Sequence, residues 1–249
     1  MSGLWPIFRR ELFSFFVTPL AWVVTTAFLV IQGLHFYLVL SHYATLQLQG
    51  MGGAGPVEMF FGQTVFLYLP LLFFCPALTM RLFAEERRSG TIEPLLTAPV
   101  TSTAVVLGKY LAVVVAYVGM WLPTLVFVWT ASSVGRVDHN VVGSSYLAVI
   151  AIGAGYLAIG TLTSAVTKSQ LSAAIMSIMA LIALFMLGIG EFILPEGIGR
   201  DLCGYVSVWG QMNDFSRGVV DSRRLVFDAT CVLLPLFVTV RVVDSWRQE

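Results

Sequence analysis

The sequence predicts an all-α membrane protein that crosses the bilayer six times, and two observations carry that expectation. Hydrophobic residues fill 57% of the 249 positions and charged ones only 11%, with a mean hydropathy of +0.85. An ordinary soluble domain has about 25% charged residues, because its surface must be mostly polar. Fourteen basic and fourteen acidic side chains cannot coat a soluble fold of this length. The second observation is their distribution, since they gather between long apolar runs. A soluble enzyme, a disordered chain and a disulfide-stapled scaffold are all excluded. The equal numbers of the two signs give no reason to expect nucleic acid as a partner.

A hydrocarbon core of about 30 Å takes roughly 20 apolar residues as helix, because lipid offers the backbone no partner. Such stretches lie at 17–40, 59–82, 104–134, 144–167, 171–194 and 225–243. The sixth is the least regular, with Asp228 and Arg241 flanking a short uncharged core; Arg241 can snorkel to one interface while Asp228 sits near the other. Residues 1–16 read as an interfacial helix, with Arg9 and Arg10 toward headgroups and Leu4, Trp5, Phe8, Leu12 and Phe15 toward lipid. The paired arginines do not make an export signal, because the apolar run behind them is too long and lacks a small-residue cleavage site. A cytoplasmic N-terminus puts nine of the fourteen basic residues on that side and none in the outer loop 41–58. Both termini are then cytoplasmic.

The stretch 83–100, between spans two and three, is not a simple loop. Six charged residues fall within 81–93, in a chain where charge is scarce. Arg81 and Glu85 stand one turn apart and predict a second span that continues into the cytoplasm with an ion pair on its flank. Gly90 ends that helix as a left-handed cap. Thr91 can cap a short new helix, with Glu93 in its first turn where the dipole favours a carboxylate. Ile92, Leu95 and Leu96 share one face of it. Pro99 stops it and Thr101 can cap the third span. Two caps and an apolar face suit a rigid amphipathic element that takes up force from a soluble partner.

The pattern Glu86-x-x-x-Gly90-Thr91-Ile92-Glu93-x-Leu95-Leu96-x-x-Pro99-Val100, followed by Leu107-Gly108-Lys109-Tyr110, resembles the signature of ABC-2-type transporter permeases. Ile7-Phe8-Arg9-Arg10-Glu11-Leu12 resembles the family's N-terminal interfacial helix. The stretch from Asn213 to Arg223 is similar to the gliding-motility-associated subgroup. Pro94 departs from the pattern, although a first turn tolerates it. The resemblance implies a single transmembrane domain over 1–249 and a transport function without enzyme activity of its own. It implies a separate ABC ATPase, two copies per complex, that binds ATP and Mg. A second permease subunit, identical or related, completes the membrane part, in a bacterial inner membrane and with room for a periplasmic accessory protein. The ATPase-coupling interface would comprise Glu85, Glu86, Arg87, Arg88, Gly90, Thr91 and Glu93. Arg9, Arg10 and Glu11 on the N-terminal helix would support it, and Leu95 and Leu96 would pack toward the membrane. Residues 195–224 would form the family's short outer hairpin before the last span, with Val206, Trp209, Met212 and Phe215 as membrane-facing or capping residues.

The remaining features are weaker. No G-x-x-x-x-G-K-[ST] phosphate loop occurs, so ATP dependence must come from the partner. Ala151-x-x-x-Gly155 and Gly160-x-x-x-Ser164 make a small-residue stripe, expected to serve packing inside the subunit. His35 and His42 read as interfacial histidines, Glu191 as an interfacial carboxylate, and Gln32, Gln63 and Gln170 as interhelical polar groups. Cys75 and Cys231 fit apolar filler and Cys203 a free thiol. An ion-coupled secondary transporter is the alternative function, disfavoured by spans nearly free of ionisable groups. A six-span serine protease built on Gly143-Ser144-Ser145 would need a histidine base that no late span carries.

Overall fold

The computed structural model describes residues 3–50, 53–62, 65–91 and 100–246. Among these there is no strand, and six helical stretches are long and apolar enough to cross a membrane. Ile92 to Pro99, with the expected helix and Glu93, Leu95 and Leu96, lie outside the described residues, as does Gln63.

Helix α1 spans Leu4–Val17 and stops because Thr18 precedes a proline, which pushes it to extended backbone at ψ 128°. Pro19 then opens the 30-residue α2, Pro19–Leu48, at the position where a missing N–H costs nothing. Short α3, Pro56–Gly62, leads to α4, Val65–Thr79, which carries Pro70 and Pro76. A turn over Met80–Phe83 separates α4 from α5, Ala84–Ser89. Helix α6, Ser102–Trp121, begins where the Thr101 side chain accepts the Ala104 N–H at 3.2 Å, as expected. Pro123 interrupts the third span: a 3-10 turn, Leu122–Thr124, joins α6 to α7, Leu125–Val134. Asp138, Ser169 and Asp221 cap α8, His139–Val166, α9, Gln170–Ile193, and α12, Ser222–Ser245, through their side chains. Between α9 and α12 lie α10, Ile198–Val206, and α11, Val208–Phe215.

Helix α8 is the axis of the bundle. Two-thirds of its apolar window is buried, against 22% for α9 and 28% for α2 and α12. It packs on α12, α9, α4, α11 and α6. Its small-residue stripe serves this packing: Gly160 lies against Thr79 of α4, Gly155 against Cys231 of α12, and the Ser164 hydroxyl donates to Met80 O at 3.1 Å. Helix α9 shows the opposite face. Leu171, Ile175, Met179, Ile182 and Met186 form an exposed stripe at helical spacing, as a surface against lipid requires. Between α2, α3, α6 and α8 an aromatic core forms, with Trp121 edge-on to Phe28 at 4.9 Å and Phe61 to Tyr146 at 5.2 Å.

Several expectations are corrected by the packing. Met212 and Phe215 are fully buried, because α11 turns one apolar face onto α8 and α3; only Trp209 and Val206 stay part-exposed. Asp228 lies in the second turn of α12, buried, and accepts a 2.6 Å hydrogen bond from the Gln211 side chain. His35 is buried, stacked on Phe60 at 4.7 Å, whereas His42 is exposed. On α1 the buried residues are Ile7 and Phe15, while Trp5, Phe13, Phe16 and Val17 are exposed.

Candidate functional site at the charged elbow

The elbow comprises the turn Met80–Phe83, helix α5 and the two residues after it. Two backbone donors at the start of α5 lack helical partners, and burial would make them costly. Ser164 of α8 meets both: its hydroxyl oxygen accepts from Phe83 N at 3.0 Å and Ala84 N at 3.2 Å. The far end of α5 stops at Gly90, whose φ of +72° is left-handed and suits glycine. Thr91 follows in a turn, and its hydroxyl bonds that of Ser89 at 2.9 Å.

A four-member ion network fastens the shoulder of the elbow to the bundle. Lys109 Nζ of α6 lies 2.9 Å from Glu11 Oε1 and 2.9 Å from Glu86 Oε1. Arg10 Nη2 lies 2.8 Å from the same two oxygens. Lys109 also donates to Leu82 O at 2.8 Å, so its three N–H groups meet three acceptors. Its side chain is only 1% exposed and its ammonium sits 5.3 Å from the Phe83 ring centre. A buried ammonium is tolerable only when paired and fully hydrogen-bonded, and this one is both. Burial works against the charge of Glu11, but Lys109 and Arg10 outweigh it and hold its carboxyl below the ordinary value. The hydrogen bond to Glu11 raises the Arg10 guanidinium in turn, against the opposing effect of burial.

Around this network the other elbow residues are committed too. Glu85 does not pair with Arg81. The helix yields to the turn at Met80–Phe83, so the expected i,i+4 geometry is lost; Glu85 accepts from the Gln170 amide instead, and the Arg81 guanidinium lies 5.1 Å from the Phe15 ring centre. Arg87 donates to Ala165 O at 2.9 Å and lies 4.7 Å from the Trp246 ring centre. A cavity of about 470 Å³ opens beside the network, lined by Arg10, Glu11, Arg81, Glu85, Glu86 and Thr91 among others.

The sequence-derived residues therefore divide into two groups. Glu85, Glu86, Arg87, Arg10 and Glu11 bind the elbow to α1, α6, α8 and α9. Arg88, Gly90, Thr91 and Arg9 are exposed, and no salt bridge among the described residues involves Arg88 or Arg9. Glu93 lies outside the described residues. Sequence reasoning missed Lys109, Ser164, Gln170 and Trp246 as partners of the elbow. Lys109 left one signal, a lone cation within the apolar stretch Val105–Val113, which a buried helix carries only where carboxylates await it. Gly108 beside it left another. A Cβ there would come within 3.2 Å of Ile7 Cβ and Leu4 O, so glycine lets α1 lie close on α6.

Elsewhere the described residues bring no three His, Cys, Asp or Glu together as metal ligands. The serines at the start of α8 are committed to packing: Ser144 Oγ donates to Phe215 O and Ser145 Oγ to Val141 O, each at 2.6 Å.

Comparison with known proteins agrees with this architecture. A family described as ABC-2 family transporter protein matches residues 14–218. No curated protein matches the sequence. The match covers most of the chain, including five of the six apolar helical stretches and the whole elbow. The protein belongs to the ABC-2 transporter family as a multi-pass transmembrane subunit, a membership that implies an ABC ATPase partner.

Proposed function

We propose that the chain is the permease subunit of an ATP-driven exporter, and that the exposed tip of the elbow is where a separate ATPase presses on it. One observation carries this reading: the tip is exposed while the shoulder is locked. Arg88, Gly90 and Thr91 are exposed, whereas Glu86, two residues before Arg88, is held in the ion network. A push on the tip reaches α1 and α6 through ion pairs, α8 through Ser164 and α9 through Gln170. The effector would act as a population shift, with nucleotide closure in the ATPase favouring one arrangement of the spans.

On this reading α1 lies in the membrane interface, α5 and the segment after it form the coupling helix, and Glu93 belongs to the contact. Residues 195–224 form the outer hairpin, and both termini are cytoplasmic in a bacterial inner membrane. ATP and Mg are held by two copies of the ATPase, and a second permease subunit, identical or related, pairs with this one. A periplasmic accessory protein and a cargo of the gliding-motility type follow from the subgroup resemblance.

The test uses the chain co-purified with its ATPase. Arg88→Glu and Thr91→Arg should abolish substrate-stimulated ATP hydrolysis while shifting the stability of the membrane subunit by no more than about 0.5 kcal/mol. If no complex forms, or if both tip variants hydrolyse ATP like the wild type, the reading is wrong. Glu86→Arg is a poor probe, because it would place a third cation against Lys109 and Arg10 and disturb the fold itself.

A further inference from the structure

The end of the bundle away from the elbow carries a second set of charges, and these are only partly committed to one another. A cavity of about 650 Å³ opens there between the end of α9, helix α10 and the start of α12. Arg224 is used structurally: it pairs with Asp214 at 2.9 Å and donates to Gly204 O and Ser207 O. Asp221 is used as the cap of α12. Four lining groups remain. Among the described residues, Arg200 reaches only Glu196, at 3.8 Å, and Arg223 only the Tyr205 hydroxyl, at 3.4 Å. Asp201 and Glu191 have no side-chain hydrogen bond or ion pair among the described residues, and Glu191 Oε2 is buried without a partner. Two available guanidinium groups and two available carboxylates line one cavity.

Next to it, joined through the bond from Arg224 to Ser207 O, lies an apolar cavity of about 390 Å³ lined by Val65, Phe185, Ile189, Phe192, Val208 and Trp209. Both volumes fall in the usual range for small-ligand sites, about 300–1,000 Å³. Helix α10 has no buried residue and exposes Ile198 and Leu202 one turn apart, so its apolar side faces outward. In a protein that spans a membrane, such a face rests among lipids.

We infer that this junction binds a phospholipid whose headgroup carries both a phosphate and a primary ammonium, the ethanolamine type. Charge complementarity decides the class. Arg200 and Arg223 supply donors for the phosphate, as guanidinium forks do. Glu191 and Asp201 accept from an ammonium, whose N–H groups a quaternary choline lacks. A purely anionic headgroup would leave the two carboxylates facing an anion. The acyl chain has the neighbouring apolar cavity. This inference stands apart from the coupling reading, since binding requires no ATPase.

The test is lipid retention by the full-length protein, stripped in detergent and then loaded with phosphatidylethanolamine, phosphatidylcholine or phosphatidylglycerol of identical acyl chains, read by native mass spectrometry. The ethanolamine lipid should be retained about tenfold better than the choline lipid, a difference of about 1.4 kcal/mol. Glu191→Gln should bring that ratio near unity, and Arg223→Ala should weaken both the ethanolamine and the glycerol lipid. Asp201→Asn, at an exposed position, should lower the same ratio and guards against a folding defect in Glu191→Gln. Equal retention of the three lipids, preference for the glycerol lipid, or an unchanged ratio in both carboxylate variants would overturn the inference.

Discussion

Helix α9 links two charged regions that solve the same problem in opposite ways. At its first residue, Gln170 donates to Glu85 of an elbow whose charges close on one another. At its other end, about 30 Å away at 1.5 Å per residue, Glu191 faces a cavity with its buried oxygen unpartnered. Lys109 is nearly inaccessible and has as many acceptors as donors, so its network is a structural clamp. Arg200 and Asp201 are exposed and barely engaged, so their cavity can accept a ligand. Charges paired with one another transmit displacement, although Glu86 Oε2 in the clamp is also buried without a hydrogen bond; charges left unpaired recognise something else. The two ends of one subunit need both.

The largest way to break the comparison is to empty the clamp. Lys109→Met leaves Glu11 and Glu86 facing each other with only the half-exposed Arg10 between them. Removing one partner from a buried pair costs about 3–5 kcal/mol. The thermal midpoint in detergent should therefore fall sharply, and adding Glu86→Gln should restore part of the loss. Additive effects of the two substitutions would show that they do not share a network.

A smaller loss is expected at the other end. Arg224→Ala removes an ion pair and two bonds to backbone carbonyls that hold α10 and α11 to α12. Hydrogen bonds involving a charged group contribute about 1.5–3 kcal/mol. Hydrogen exchange should rise over 198–215 and stay unchanged over 80–89. Protection lost in both regions would mean that the two ends are not independent.

Acid sharpens the distinction. The Glu11 carboxyl lies below its ordinary value of 4.5. A depressed value means that the carboxylate stabilises the fold above that ordinary value, and the contribution is lost as pH falls through the lower, folded one. Thermal stability measured from pH 7 down to pH 3 should drop more steeply in the wild type than in Glu11→Gln. Parallel curves would remove Glu11 from the clamp. The least effect is expected at Arg9, exposed and outside the network, where Arg9→Ala should shift stability by no more than about 0.5 kcal/mol.

The reasons one end was easier to read than the other are physical. Six apolar stretches were legible because membrane solvation imposes length and composition on each segment separately. The left-handed Gly90 and the Thr101 cap were legible because turns and caps are local. The clamp was not. Two of its four pairs, Arg10–Glu86 and Lys109–Glu11, join positions 76 and 98 residues apart, and only tertiary packing brings them together. The expected Arg81–Glu85 pair failed for the same reason: Ser164, on a distant helix, stabilises a turn where the local pattern favoured continued helix. Likewise, the resemblance made Met212 and Phe215 membrane-facing or capping residues, and packing of α11 on α8 and α3 buries both. The bond between Asp228 and Gln211 was not legible either, because its partners lie on different helices.

Rigidity of the elbow is the claim on which coupling depends, and a distance measurement reaches it directly. Spin labels at Arg9→Cys and Arg88→Cys, both exposed sites, would be placed in a variant of the membrane subunit lacking Cys75, Cys203 and Cys231, without the ATPase, since Arg88 belongs to the proposed contact. The clamp predicts one narrow distance distribution that Lys109→Met broadens. A broad distribution in the unmutated clamp, or one that Lys109→Met leaves unchanged, would contradict it.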